Sequence, residues 1–560
     1  MTPKYKIDLS SSFYGEAIER GLLYVDKTLF IEHVFDNPSK VTLITRPRRM
    51  GKTLNMDTLR TFLDPKVDSE QLFKGMKIEQ SKYYNLQNQH PVIWLSFRTF
   101  TNEDMRGDFF SQISSCVEQY LTPEQITPEL QRILDEREKS PKLLRSVRVL
   151  CANLHKVYGK RPVVLIDEYD KLYMDTAKKG GPDYDNAREF TKGIMAPALK
   201  DNPSLEKAVI TGVNRIAQES MFSELNNIEV DGVFNPSIFD EDFGFTDDEV
   251  KALVPPEEFD LVQRWYDNYR VGDKEVFFTY SVVSYLKRGT FDNYWGKSGT
   301  IDLIDKALTP KRTEQIIQTI GNGGFESAVY DRISGSDLMN DFPEDESFYS
   351  LLVQTGYMTH TPIPKDEDDN DYDDDEYDDE LSTPKYILNT PNRELESVWK
   401  QFILSRVVHI QNPDITDVFK HTDDLALFEF RLNDLINYKL SYYDFEKKEP
   451  EKTYHIFMLA MLVAVGFKVT SNKELGRGRY DLLMTRKTKS RGTQYFIFEF
   501  KRVDTPGKDS EFLQVAASEA IAQIREKDYA GGIEDRGDAP VYLIGIGFCG
   551  SQNWVKAEEL

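Results

Sequence analysis

Tyr480-Asp481-Leu482-Leu483-Met484, followed by Tyr495-Phe496-Ile497-Phe498-Glu499-Phe500-Lys501, reads as two strands of one hairpin. Side chains two apart on a strand share a face, so Glu499 and Lys501 project together and Ile497 carries that face toward the interior. Asp481 joins them from the neighbouring strand. Two carboxylates meeting at one point repel each other and call for a hard divalent cation, Mg²⁺ or Mn²⁺, which takes oxygen ligands and keeps several waters. Asp481 and Glu499 are therefore the candidate metal ligands. Lys501 is placed to polarise an attacking water or to steady charge building on a phosphate.

The flanking residues extend the pattern. Ser471-Asn472-Lys473-Glu474-Leu475-Gly476-Arg477-Gly478-Arg479 leads into the first strand, and Ala520-Ile521-Ala522-Gln523-Ile524-Arg525-Glu526-Lys527-Asp528-Tyr529 has the character of a helix after Lys501. Together these segments resemble the PD-(D/E)XK nuclease superfamily, in the branch fused to an AAA-ATPase-like domain. The resemblance implies a C-terminal α/β restriction-endonuclease-like domain with Asp481, Glu499 and Lys501 as its catalytic set. A bare Asp…Glu-x-Lys pattern also arises as a strand salt-bridge pair, so the flanks give it its weight. Three further residues are candidate catalytic groups with plain alternatives. Glu474 is a further acidic ligand or a solvated residue beside the Gly-Arg-Gly turn. His455, in the apolar helical stretch Tyr454-His455-Ile456-Phe457-Met458-Leu459-Ala460, is a metal ligand or, more commonly for a lone histidine, a satisfied core residue. Gln523 lies where the superfamily often places a polar residue near the active site, and any amphipathic helix also carries one.

Near the other end, Val41-Thr42-Leu43-Ile44-Thr45 reads as a buried strand, and Arg46-Pro47-Arg48-Arg49-Met50-Gly51-Lys52-Thr53 follows it. Gly51, Lys52 and Thr53 supply the second half of a P-loop: backbone N–H groups around phosphates, a lysine for the terminal ones, and a hydroxyl for Mg²⁺. Arg46 stands where that motif has its first glycine. The AAA-ATPase-like family shows the same departure, so the resemblance implies ATP binding at Arg46, Gly51, Lys52 and Thr53, with turnover an open question. Arg161-Pro162-Val163-Val164-Leu165-Ile166-Asp167-Glu168 is a continuous apolar run ending in two carboxylates, as a parallel strand buried on both faces does. Asp167 there suits the nucleotide's Mg²⁺, and Glu168 suits orienting or deprotonating water. Ala208-Val209-Ile210-Thr211-Gly212-Val213-Asn214-Arg215 is another apolar strand whose Thr211, Asn214 and Arg215 are candidate γ-phosphate sensors or an ordinary strand exit.

Strands alternating with helices predict a parallel α/β sheet. The 560 residues exceed one core. The expected division is a P-loop core over 5–225, a helical lid over 226–300, a helical connector over 301–400 and the nuclease-like domain over 401–560. Thr246 with Glu249 predicts a capping box within the lid. A net charge of −24 opposes a nucleic-acid partner, but residues 366–380 hold 12 acidic side chains and no basic ones, leaving −12 for the remainder. So dense an acidic run predicts disorder. Basic residues cluster at Arg46-Pro47-Arg48-Arg49 and at Arg486, Lys487, Lys489 and Arg491 of the nuclease hairpin, where a phosphate backbone would meet them. The three cysteines, Cys116, Cys151 and Cys549, have no metal-ligand spacing. The N-terminus lacks the apolar core of a signal peptide, and the longest apolar run, Phe457 to Phe467, is 11 residues, too short for a bilayer. These features lead to the expectation of a soluble cytoplasmic or nuclear, nucleotide-regulated nuclease with no membrane partner. It would act on DNA in preference to RNA and self-associate, if at all, through the ATPase-like domain. The alternative is a nucleotide-dependent switch whose nuclease-like domain binds nucleic acid or protein without cutting.

Overall fold

The computed structural model describes residues 5–177, 179–217, 228–296, 301–320, 323–363, 384–403, 412–440, 450–471, 474–475, 478–488, 492–503, 510–533, 536–549 and 552–560. The acidic stretch 366–380 lies outside them. The chain forms two compact units, one of residues 1–307, 327–386 and 391–394, the other of 308–326, 387–390 and 395–560.

The first unit is built on a five-stranded parallel sheet in the order β2-β3-β4-β1-β5: β1 Val41–Thr45, β2 Val92–Ser96, β3 Val163–Asp167, β4 Ala208–Gly212 and β5 Ile228–Asp231. Strands β1, β3 and β4 are buried along their whole length, which is why apolar residues dominate them with no polar alternation. The register sets Thr45 beside Gly212 and Ser96 beside Asp167, so the strands end together along one edge. Helix α1, Lys52–Leu63, begins directly after the β1 loop. In such sheets ligands collect at the carboxyl ends of the strands. Among its described residues the stretch expected as a helical lid, 226–300, holds helices and also strands: Ile228–Asp231 pairs with β1 as an edge strand, and Tyr269–Val271 and Lys274–Val276 form a hairpin. Residues 301–400 likewise carry the short strands Phe325–Ala328, Thr359–Pro362 and Lys385–Asn389 among their helices. The helix Asp247–Leu253 does open on the expected capping box, with Thr246 N–H donating to Glu249 Oε2 at 2.9 Å.

The second unit holds a mixed sheet in the order β6-β7-β8-β9-β10: β6 Lys468–Ser471, β7 Leu482–Thr488, β8 Gly492–Arg502, β9 Val541–Cys549 and β10 Gln552–Glu559. Strands β8 and β9 are parallel, and the crossover between them is helix α4, Ser510–Glu526. Gly545 and Gly547 of β9 let α4 lie directly on the sheet, because a Cβ at either would collide with the carbonyl of Ala517 or Leu513. Ile497 on the α4 face packs with Ile521, Ile524 and Leu543. The alternate residues face the other way, where Phe496 meets Phe419 and Phe428. Helix α2, Leu425–Leu440, covers the outer edge of β10. Its Glu429, Asn433 and Asn437, four residues apart, accept from the N–H groups of Ala557, Val555 and Asn553 at 2.6, 3.2 and 3.2 Å. Helix α3, Pro450–Ala464, is buried along its described residues from Tyr454 to Val463. Among the described residues no helix is long and apolar enough to cross a membrane.

Candidate active sites

In the first unit the loop between β1 and α1 turns on Arg49 and Gly51, at φ 63° and 86°. Only Gly51 takes that conformation without steric cost. Other elements hold the loop in place. Thr279 Oγ1 donates to Arg49 O at 2.6 Å, Trp295 Nε1 to Arg48 O at 3.2 Å, and the Arg49 guanidinium lies over the Tyr280 ring at 4.1 Å. Lys52 Nζ donates to Arg46 O at 2.9 Å and Pro47 O at 2.6 Å, and burial lowers its pKa to about 8. Asp167, the last residue of β3, accepts from Thr53 Oγ1 at 2.8 Å and from Thr211 Oγ1 at 2.6 Å. A hydroxyl against a carboxylate is a hard-oxygen donor set of the kind Mg²⁺ takes. Glu168 follows at φ 55°, and burial, then the charge of Asp167, raises its carboxyl above the usual range. A non-glycine residue in that conformation is strained, as residues at working sites often are. Lys52, Thr53 and Glu168 open on a cavity of about 570 Å³ whose wall also includes Arg48, Arg98 and Asn214.

The candidates do not all converge. The Arg46 side chain is fully buried and leaves the cavity, pairing with Asp231 at 2.8 Å and lying 3.8 Å from Asp240, so its expected contact with nucleotide is corrected to a structural one. Its partners lie far along the chain, on and after β5, which a local reading of the loop does not weigh. Of the three sensor candidates, Asn214 reaches the cavity, Thr211 bonds Asp167, and Arg215 turns to an ion pair with Asp331. Sequence reading missed Asp170 and Arg98. Asp170 Oδ2 accepts from the backbone of Asn214 at 2.8 Å and of Val213 at 3.1 Å, fixing the β4 exit. The acidic run Asp167-Glu168-Tyr169-Asp170 was the available signal.

In the second unit Asp481 immediately precedes β7, and Leu482 pairs with Phe498, which brings Asp481 level with Glu499. The Phe500 amide donates to Asp481 Oδ2 at 2.7 Å. Gln523, presented by α4, links the other two groups: its Nε2 donates to Glu499 Oε1, and its Oε1 accepts from Lys501 Nζ. Glu499 is 4% exposed, and among the described residues its Oε2 has no hydrogen-bond partner. Burial, then the charge of Asp481, pushes its pKa up to about 8. An orphaned, buried carboxylate oxygen beside a second carboxylate fits a divalent cation. Among the described residues no group of three or more His, Cys, Asp and Glu is disposed to hold a metal; the two carboxylates that the hairpin brings level are Asp481 and Glu499. Mg²⁺ accepts such a set, drawing its remaining ligands from water and phosphate. His455 Nε2 lies 3.1 Å from the carbonyl oxygen of Asp481. Glu474 lies on a two-residue strand paired with Gly478–Arg479, and its side chain is outside the described residues.

The fold and its two sites define a P-loop module joined to a nuclease-type module. Two family models match accordingly: the predicted AAA-ATPase family over residues 10–222 and the PD-(D/E)XK nuclease superfamily over residues 449–558. The chain therefore carries a predicted AAA-ATPase domain and a PD-(D/E)XK nuclease superfamily domain, as its motifs implied. It is 25% identical over 547 residues to an Azotobacter chroococcum mcd 1 protein described as "Uncharacterized protein in vnfD 5'region", covering 94% of this chain and 92% of that one. A Walker-type ATPase of Pyrococcus abyssi aligns with 67% of this chain and 94% of its own at 14% identity, with a TM-score of 0.32.

Proposed function

We propose that this chain is a nucleotide-regulated, Mg²⁺-dependent nuclease that hydrolyses phosphodiester bonds, with DNA as its substrate. The observation that carries the reading is Glu499 Oε2, a buried carboxylate oxygen without a hydrogen-bond partner among the described residues, in a group whose pKa is pushed up to about 8. Bound there, Mg²⁺ or Mn²⁺ supplies a Lewis acid and an acidified water. Asp481 and Glu499 hold that cation. Gln523 holds the Lys501 ammonium beside Glu499, where it stabilises negative charge developing on the phosphate. In the other unit Lys52, Thr53 and Asp167 bind ATP with its Mg²⁺, Glu168 orients water, and nucleotide occupancy regulates the nuclease. Domain limits at 225, 300 and 400, a cytoplasmic or nuclear setting and self-association through the ATPase-like domain belong to the same proposal.

The test incubates the full chain and its Asp481→Ala and Glu499→Ala variants with single- and double-stranded DNA and RNA, with Mg²⁺ or Mn²⁺, with and without ATP. The expected result is metal-dependent DNA cleavage by wild type alone, at a rate that changes with ATP. Cleavage that persists in both variants refutes the site. The second reading, a nucleotide-dependent switch that binds without cutting, draws on Arg46, whose buried ion pair with Asp231 stiffens the base of the loop. Binding of nucleic acid without cleavage by wild type is its outcome.

A further inference from the structure

We infer that His455 is a positioning residue, which fixes the main chain of Asp481 by hydrogen bonding and is not itself a metal ligand; the inference rests on the nuclease reading above. His455 lies on α3 with 6% of its surface exposed. Its Nε2 is 3.1 Å from the carbonyl oxygen of Asp481 and 3.0 Å from Ser471 Oγ. A carbonyl oxygen only accepts, so Nε2 carries the hydrogen, and a nitrogen bearing that hydrogen has no lone pair for a cation. Ser471 Oγ then accepts from the same N–H, and its own hydrogen is directed to Glu314 Oε1 at 3.4 Å. One chain of donors thus runs from Ser471 to Glu314 and from His455 to Asp481.

The ring reaches both catalytic strands. It stands edge-on to Phe500, with centroids 6.1 Å apart and planes at 86°. Phe500 lies between Glu499 and Lys501, and its amide holds the Asp481 carboxylate. The described β6–β7 ladder ends at Ser471 opposite Leu482, so Asp481 stands one residue beyond its last pair. His455 therefore bonds the peptide at the point where the ladder gives out. Asp481 is held at both ends, its carbonyl by His455 and its carboxylate by Phe500. No histidine joins the two carboxylates in a metal-holding group among the described residues.

The test compares His455→Leu, which removes the donor, with His455→Gln, whose amide N–H can reach the same carbonyl. Mn²⁺ affinity is measured by calorimetry on the full chain without nucleic acid, with thermal melting alongside and cleavage followed as Mn²⁺ is raised. Loss of a group that orients a metal ligand typically costs ~10–100-fold in metal affinity, so His455→Leu should fall in that range and His455→Gln should stay within about threefold of wild type. Cleavage by His455→Leu should recover toward wild type at saturating Mn²⁺, because the ligands themselves remain. If His455→Leu melts out, the decision rests on His455→Gln. A glutamine variant that binds Mn²⁺ ~10-fold or more weakly than wild type overturns the inference, since it would make the imidazole a ligand. A leucine variant that binds like wild type also overturns it, leaving the nuclease reading in place. A wild type that binds no Mn²⁺ overturns the nuclease reading and this inference together.

Discussion

Removing the charge at Glu499 separates the proton from the metal at the nuclease site. The fold moves this carboxyl from its ordinary 4.5 to about 8, through burial and then the neighbouring charge of Asp481. At ~1.4 kcal/mol per tenfold, that amounts to about 5 kcal/mol in favour of the protonated form. Because the pKa is raised on folding, the stability it contributes is fully present below the unfolded value and is lost as pH rises through about 8. Glu499→Gln keeps the shape of the protonated acid without titrating. Without metal it should melt with wild type at acidic pH and above wild type at alkaline pH. A cation entering the site must displace the proton. Apparent Mn²⁺ affinity should therefore rise about tenfold per pH unit up to the folded pKa and then level off, with roughly 0.9 proton released per ion near neutrality. Calorimetry in buffers of different ionisation enthalpy measures both quantities. An affinity indifferent to pH with no proton release would refute the reasoning, as would identical melting of wild type and Glu499→Gln under alkaline conditions.

Lys52→Ala should abolish ATP binding measured by calorimetry with Mg²⁺, and wild-type affinity should fall as pH rises through about 8, where burial leaves the lysine neutral. Glu168→Gln should bind ATP as wild type does and slow hydrolysis by ~100-fold or more, read as phosphate release, because it keeps the side-chain shape and loses the base. Arg46→Met should leave nucleotide-contacting groups in place yet destabilise the first unit by about 3–5 kcal/mol, because Asp231 loses its buried partner. Thermal melting checks it, and a loss below ~1 kcal/mol would place the arginine outside the stabilising network.

The parts of the fold legible in sequence are those whose strands are buried on both faces. Strands β1, β3 and β4 are buried on both faces and read as largely apolar runs; β8 is likewise buried on both faces from Phe496 to Phe500, and the two-residue period of an extended chain is what put Glu499 and Lys501 on one face. Strand β5 was not legible, because Ile228-Glu229-Val230-Asp231 is a short, half-polar edge whose extended form depends on pairing with β1. Arg46 was visible as a departure from the glycine pattern, but its burial depends on Asp231 and Asp240, some 190 residues away in sequence. The three sensor candidates lie close together in sequence yet face different ways, since β4 ends at Gly212 and the chain turns under Asp170. Gln523 gained its place through the glycines of β9, which set how close α4 lies; nothing in the helix's own residues reports that distance.

The accepting ladder along α2 also bears on how the polypeptide is made. Strand β10 presents outward amides that would otherwise recruit a strand from another molecule, a common route to aggregation. Glu429, Asn433 and Asn437 precede their partners by 128, 122 and 116 residues. During synthesis the residues of the cap therefore leave the ribosome before the edge they guard. A chain with the opposite order would have to survive an interval with that edge bare.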